Sequence, residues 1–293
     1  MKKLNVGAKK VALGMFISLF SIAAYSQFYI NVGGGYNLGI ANQSLLYNIA
    51  NQSLLINYES TNNIVKIENV KTSLGKGANF GLNIGYMFNG NIGIDLQCSY
   101  LLGDETTGEY KYNYTYFNNN YYDFGKISLK SQMFRVNPSI IIASGFDKLD
   151  PYAKFGVILG FGSITLNYLY EEYENNQLQD KEVVKWKMDG GMAFGISSAL
   201  GLMYHISDLI SVYGELDLVS MSYAPTNGVM TEYTVNGADK LPDLTTDAKE
   251  IEFLDEITYD YDNPPSTAEP SKELKFYFPY SSIGLNIGVR FSF

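Results

Sequence analysis

Seven charged residues sit inside otherwise apolar or small-residue stretches: Asp95, Arg135, Lys154, Asp189, Glu215, Asp217 and Arg290. An isolated ion removed from water is very costly, so charges in such a frame should pair. Three cations against four acids predict a salt-bridge plug, and the sharper alternative is a gated polar path for a small solute or ion. Acid–base catalysis has little to work with. His205 is the single histidine and lies two residues before a Ser207-Asp208 turn. Cys98 is the single cysteine, and C-x-x-C and zinc-type clusters are absent, so no internal disulfide is expected. No catalytic, cofactor-binding or metal residues are therefore assigned, and the chain reads as non-enzymatic.

Two further groups lie between the apolar stretches. Tyr110, Tyr112, Tyr114 and Tyr116 alternate with polar residues, and Tyr121 and Tyr122 follow an Asn118-Asn119-Asn120 run. Exposed aromatics with polar tips suit protein or glycan partners; the alternative is a membrane-interface aromatic girdle extended by one turn. Residues 223–275 carry 12 acids against four lysines. Glu250, Glu252, Asp255, Glu256, Asp260 and Asp262 there lack calcium-loop spacing, so a solvated acidic cap is favoured over a Ca²⁺ site.

The elements that must position these residues follow from period-two alternation. From Ser282 to Phe293, apolar Ile283, Leu285, Ile287, Val289, Phe291 and Phe293 alternate with small or polar residues. The same pattern fills Ala78 to Phe88 and Ile92 to Leu102, joined by the tight Asn89-Gly90-Asn91 turn. Further strands are predicted over Phe28 to Leu38, Lys126 to Ile142, Tyr152 to Tyr168, Met188 to Ile206, Leu209 to Ser222 and Phe276 to Phe293. The connections alternate: long near 39–77, 103–125, 170–187 and 223–275, short between. This rhythm predicts an all-β fold, an eight-stranded antiparallel transmembrane β-barrel with long extracellular loops. Ten strands are the alternative, with Ile64 to Val70 or Val229 to Val235 forming an extra pair. Gly33, Gly81, Gly85, Gly156 and Gly201 on the predicted inner face suit a narrow lumen.

Residues 1–26 read as a secretory signal peptide: four lysines, no acid, an apolar run from Val11 to Ala24, then small residues before Gln27. Residues 27–293 are then one domain. Without residues 1–26 the chain's 21 basic residues fall to 17 against 30 acidic ones, a net charge of −13 that argues against nucleic acid as a partner. Ala41 to Leu46 and Ala50 to Leu55 repeat the same six residues, a local duplication.

With alternating strands, alternating loop lengths and a terminal Val289-Arg290-Phe291-Ser292-Phe293, the chain resembles small outer-membrane β-barrel proteins of the OmpA/OmpX and OmpW type, especially those of Bacteroidota. The resemblance implies that Val289, Phe291 and Phe293 form the signal read by the barrel-assembly machinery, and that outer-membrane lipid and lipopolysaccharide surround the chain. The resemblance does not fix an individual function; the exposed loops point to a structural or surface-interaction role, with a protein or glycan partner at the tyrosines. The alternatives are a narrow channel for small or apolar solutes and an accessory subunit of a larger outer-membrane complex.

Overall fold

The computed structural model describes residues 27–44, 56–61, 64–258, 262 and 264–293. The predicted leader, the second copy of the six-residue repeat and Asp260 lie outside them.

Eight strands form a circuit of antiparallel pairings: β1 (Gln27–Gly39), β2 (Gly77–Met87), β3 (Ile92–Gly103), β4 (Asn119–Ala143), β5 (Leu149–Glu174), β6 (Ala193–His205), β7 (Ile210–Tyr223) and β8 (Ser282–Ser292). Each pairs with the next, and β8 pairs back to β1, with Tyr29 opposite Ser292 and Leu38 opposite Ile283. Closure leaves none of these strands with a free edge along the ring. Burial is inverted relative to a water-soluble fold. Outward Ile287 and Leu200 are 68% and 65% exposed, whereas inward Asp95 and Lys154 are 3% and 6% exposed.

Eight strands leave little room inside, and glycine supplies what there is. A Cβ at Gly85 would fall on the Tyr29 ring, and one at Gly201 on the Tyr152 ring. The inward aromatics therefore lie directly against bare backbone of facing strands.

At one end of the ring the strands are joined by the short turns near residues 88–91, 144–148 and 206–209. At the other end the wall continues, and the segments expected as long loops are largely strand. Thr106–Tyr116 pairs with the first half of β4, Gln177–Asp189 with the second half of β5, and Asn227–Val235 with Gln177–Asp189; Glu250–Leu254 and Ser271–Leu274 follow. Tight turns with positive φ at Phe117-Asn118, Asn175-Asn176 and Asn236-Gly237 cap its hairpins. Ile64–Asn69 pairs with Ile56–Thr61. It and Asn227–Val235 belong to this extension, not to the circuit of eight.

The interior is filled in layers. Near the short turns lie Tyr29, Met87, Ile141, Tyr152, Met203 and Tyr213. At the opposite end a larger cluster joins inward residues of the ring, such as Leu101, Met133, Ile158 and Met221, to Ile251, Phe253, Phe278 and Tyr280. Segment 223–275 is therefore more than a solvated cap: it sends Ile251 and Phe253, 4% and 3% exposed, into the mouth of the ring. Phe253→Ala should cost about 3–5 kcal/mol of stability, read from the denaturant midpoint of the detergent-solubilised protein, while an outward change such as Glu252→Ala should cost little.

Candidate functional site

Between the two apolar layers lies the charged layer, and one lysine organises it. Lys154 Nζ is 2.9 Å from Glu215 Oε2 and 3.5 Å from Asp95 Oδ1. The other carboxylate contacts are neutral donors: the Tyr29 hydroxyl donates to Asp95 Oδ2 at 2.9 Å, Asn83 Nδ2 to Asp95 Oδ1 at 3.1 Å, and the Tyr152 hydroxyl to Glu215 Oε2 at 2.9 Å. These donors come from β1, β2 and β5, so the network ties strands on different sides of the ring.

The remaining charges depart from simple pairing. Arg290 meets no carboxylate among the described residues: its Nε donates to Asn31 Oδ1 at 2.9 Å and its guanidinium carbon sits 3.6 Å from the Tyr29 ring centre. Asp217 accepts from the Asn286 side chain. Arg135, 5% exposed, makes no ion pair among the described residues, and its Nε has no hydrogen-bond partner. Beside it is a void of about 20 Å³, also lined by Asn137, Ser197 and Asp217. That is room for about one water.

Asp189 does not belong to this layer. The predicted Met188–Ile206 strand is interrupted by Gly190 and Gly191, with φ of +78° and +69°, so Asp189 ends the separate strand Gln177–Asp189. There it pairs with Lys187 at 3.0 Å, both about half exposed. The lone His205 contacts the Ser211 hydroxyl through Nδ1 at 2.8 Å, a pairing that sequence spacing had not suggested. Val289 pairs with Val32 of β1, Phe291 pairs with Ile30 of β1 and Ile210 of β7, and the Phe293 N–H donates to the Phe28 carbonyl.

The second candidate surface is the extension's inward side, the continuation of the lumen face. Tyr114 stacks on Tyr121 at 4.9 Å across the hairpin, Tyr112 lies 5.1 Å from Tyr114, and Tyr110 stacks on Tyr58 at 4.8 Å. Tyr116 ends this row against Phe117, which is 83% exposed at the tip. Tyr122 points to the opposite side, beside Tyr173 at 5.9 Å. The period of two places Tyr168, Tyr170, Glu172 and Glu174 on the inward side too, opposite Ile127, Gly125, Asp123 and Tyr121. Sequence reasoning missed these four although their spacing carried the signal. Burial, with Glu172 nearby, holds the Asp123 carboxyl above its usual range, and burial with neighbouring Asp180 does the same to Glu182. The acidic segment holds no metal-type group of three or more ligands among the described residues.

No family model and no curated protein matches the chain. Among solved structures it is similar to CarO2 of Acinetobacter baumannii, 12% identical with a TM-score of 0.31, over 90% of this chain and 99% of that one. It is also similar to OmpT, an outer membrane protein of Vibrio cholerae, 9% identical with a TM-score of 0.15, over 92% and 97% of the two chains. Likenesses at this level carry no argument about role, which rests on the pairings and burial above.

Two outcomes follow from the geometry. Lys154→Ala leaves Asp95 and Glu215 without their cation and should cost about 3–5 kcal/mol; Arg290→Ser, which breaks no ion pair, should cost less in the same denaturant series. Asp123 has a raised folded pKa, so the fold favours its neutral form and loses stability as pH rises above the ordinary carboxylate range. Asp123→Asn should therefore raise the melting temperature at about pH 7.5 and bring no gain at about pH 2.5, below the ordinary carboxylate range, where both states are protonated.

Proposed function

We propose that the chain is an integral β-barrel of the outer membrane, eight antiparallel strands in circumference, without enzymatic activity and with a structural or surface-interaction role. The observation that carries this reading is the inverted burial of a closed circuit. Apolar side chains point out all round, charges point in, and pairing returns to the first strand. In hydrocarbon a backbone donor or acceptor finds no water, so a strand structure is stable there only if it closes. Outside a membrane, the same outward belt would be a very large exposed apolar surface.

On this reading the short turns face the periplasm and the extension stands outside the cell. Outer-membrane lipid and lipopolysaccharide surround the belt, the barrel-assembly machinery inserts it, and the tyrosine row with its carboxylates meets a protein or glycan. The filled interior supports a structural barrel over a channel: an apolar layer closes each end and the charged layer leaves space for about one water.

Cell fractionation tests the reading directly. The protein should sediment with outer membranes, resist carbonate and urea extraction, and migrate faster on gels before heating than after. Release by carbonate in soluble form would overturn it. Deleting Val289 to Phe293 removes the pairing partners of Tyr29 to Val32 and should leave the exported chain unassembled and protease-sensitive. In a planar bilayer the wild type should show no sustained conductance.

A further inference from the structure

Beyond the tyrosine row, the inward side of the extension contains a cavity of about 390 Å³. Its wall has two chemically distinct parts. One is apolar and aromatic: Val184, Trp186, Met230, Tyr233 and Ile251. The other is acidic: Glu182, Asp247 and Glu273, with no lysine or arginine in the lining.

The local fold explains how these groups converge. Glu182, Val184 and Trp186 occupy alternate positions of Gln177–Asp189 and so share one face. Met230 and Tyr233 are three apart and would point to opposite faces of a regular strand. The register of Asn227–Val235 shifts at Lys185/Trp186: Lys185 faces Glu232 while Trp186 faces Met230, leaving Thr231 as the extra residue. That bulge brings Met230 and Tyr233 to the same side. Asp247 comes from the short helix Thr246–Lys249, and Glu273 from Ser271–Leu274.

The acidic part is undersupplied with donors. Asp247 and Glu273 both line the cavity, and the buried oxygens Asp247 Oδ1 and Glu273 Oε2 have no hydrogen-bond partner among the described residues. Burial holds the Glu273 carboxyl above its usual range. Unpaired carboxylate oxygens call for a positive donor, and the aromatic part offers π faces and apolar area. A bare metal ion would leave that second half unused, and an anion would meet only acids. The volume lies within the usual range for small-ligand sites.

We propose that this cavity binds a compact organic ammonium ion with an aromatic or aliphatic body, its charge toward Asp247 and Glu273 and its body against Trp186 and Tyr233. The proposal rests on the reading of the extension as the surface-exposed part of the barrel. It is nonetheless tested on purified protein, so its failure would leave the fractionation result untouched.

Trp186 is the single tryptophan of the chain, so intrinsic fluorescence reports on this cavity. The folded full-length protein in detergent should be titrated with phenethylamine, with the neutral phenethyl alcohol, and with calcium chloride alone. Phenethylamine should produce a saturable change in Trp186 emission. The alcohol should bind at least about tenfold more weakly, the worth of a charge-assisted hydrogen bond. The Asp247→Asn/Glu273→Gln double variant, checked for the same heat-modifiable migration, should lose about the same factor toward the amine and keep its weak response to the alcohol. Absence of a saturable amine signal below about 10 mM, equal affinity for amine and alcohol, full amine affinity in the double variant, or displacement of the amine by micromolar calcium would each overturn the proposal. If the double variant fails to fold, the single variants Asp247→Asn and Glu273→Gln supply the same comparison.

Discussion

The constraint on which the rest of the structure depends is backbone closure. Once β8 pairs with β1, side chains are divided without compromise: one parity of each strand faces out, the other fills a space whose diameter eight strands fix. The outward parity is free to be large and apolar, as at Phe80, Phe155, Phe161 and Phe194. The inward parity must be rationed, and the sequence does this with glycine opposite tyrosine. Gly33 stands in register with Gly81 on one side and Gly288 on the other, and the Tyr213 hydroxyl occupies the space this row leaves.

Rationed space also shapes the electrostatics. A lumen packed with ion pairs would need one cation per acid, each with a long side chain. Here one lysine serves two carboxylates, and Tyr29, Asn83 and Tyr152 complete them as neutral donors. Neutral hydrogen-bond donors complete Asp95 and Glu215 without the desolvation penalty that a further cation beside them would bring. Tyr29 is used twice, its hydroxyl on Asp95 and its ring under Arg290. Loss of any one member therefore disturbs more than one pair, as expected of a polar network in a low dielectric.

Legibility in the sequence tracks this physics. Where one face meets an apolar environment and the other a small polar one, alternation is uninterrupted, and the strands around Ala78 to Leu102 and Ser282 to Ser292 were readable nearly to the residue. Six of the seven inner charges were readable for the same reason. Asp189 was not, because apolar Met188 and Ala193 masked the break at Gly190-Gly191, whose left-handed backbone alone ends the strand. The inner partners Tyr29, Asn31, Asn83 and Tyr152 carry no formal charge, so nothing in the sequence marks them out from the other polar residues of the strands. In the extension neither face carries the apolar contrast of the ring's outer wall, so hydrophobic alternation fades after Tyr168 although the strand continues to Glu174. What persists there is alternation of chemistry, with tyrosine and glutamate at every second position, and a reading tuned to hydrophobicity is blind to it. The bulge that aligns Met230 with Tyr233 has no sequence signature at all, being a property of pairing between two strands.

The two ends of the molecule treat the same residue type differently. In the ring, Asp95 and Glu215 are both paired and hydrogen-bonded, as burial away from water demands. In the extension, Asp123, Asp247 and Glu273 each keep one buried carboxylate oxygen without a partner, and those of Asp123 and Glu273 are held above their usual range by burial. Such groups cost stability that a lysine or asparagine nearby would recover, and segment 223–275, with 12 acids to four lysines, supplies few. The ring thus meets Asp95 and Glu215 with Lys154, Tyr29, Asn83 and Tyr152, whereas in the extension the carboxylates outnumber the donors placed near them.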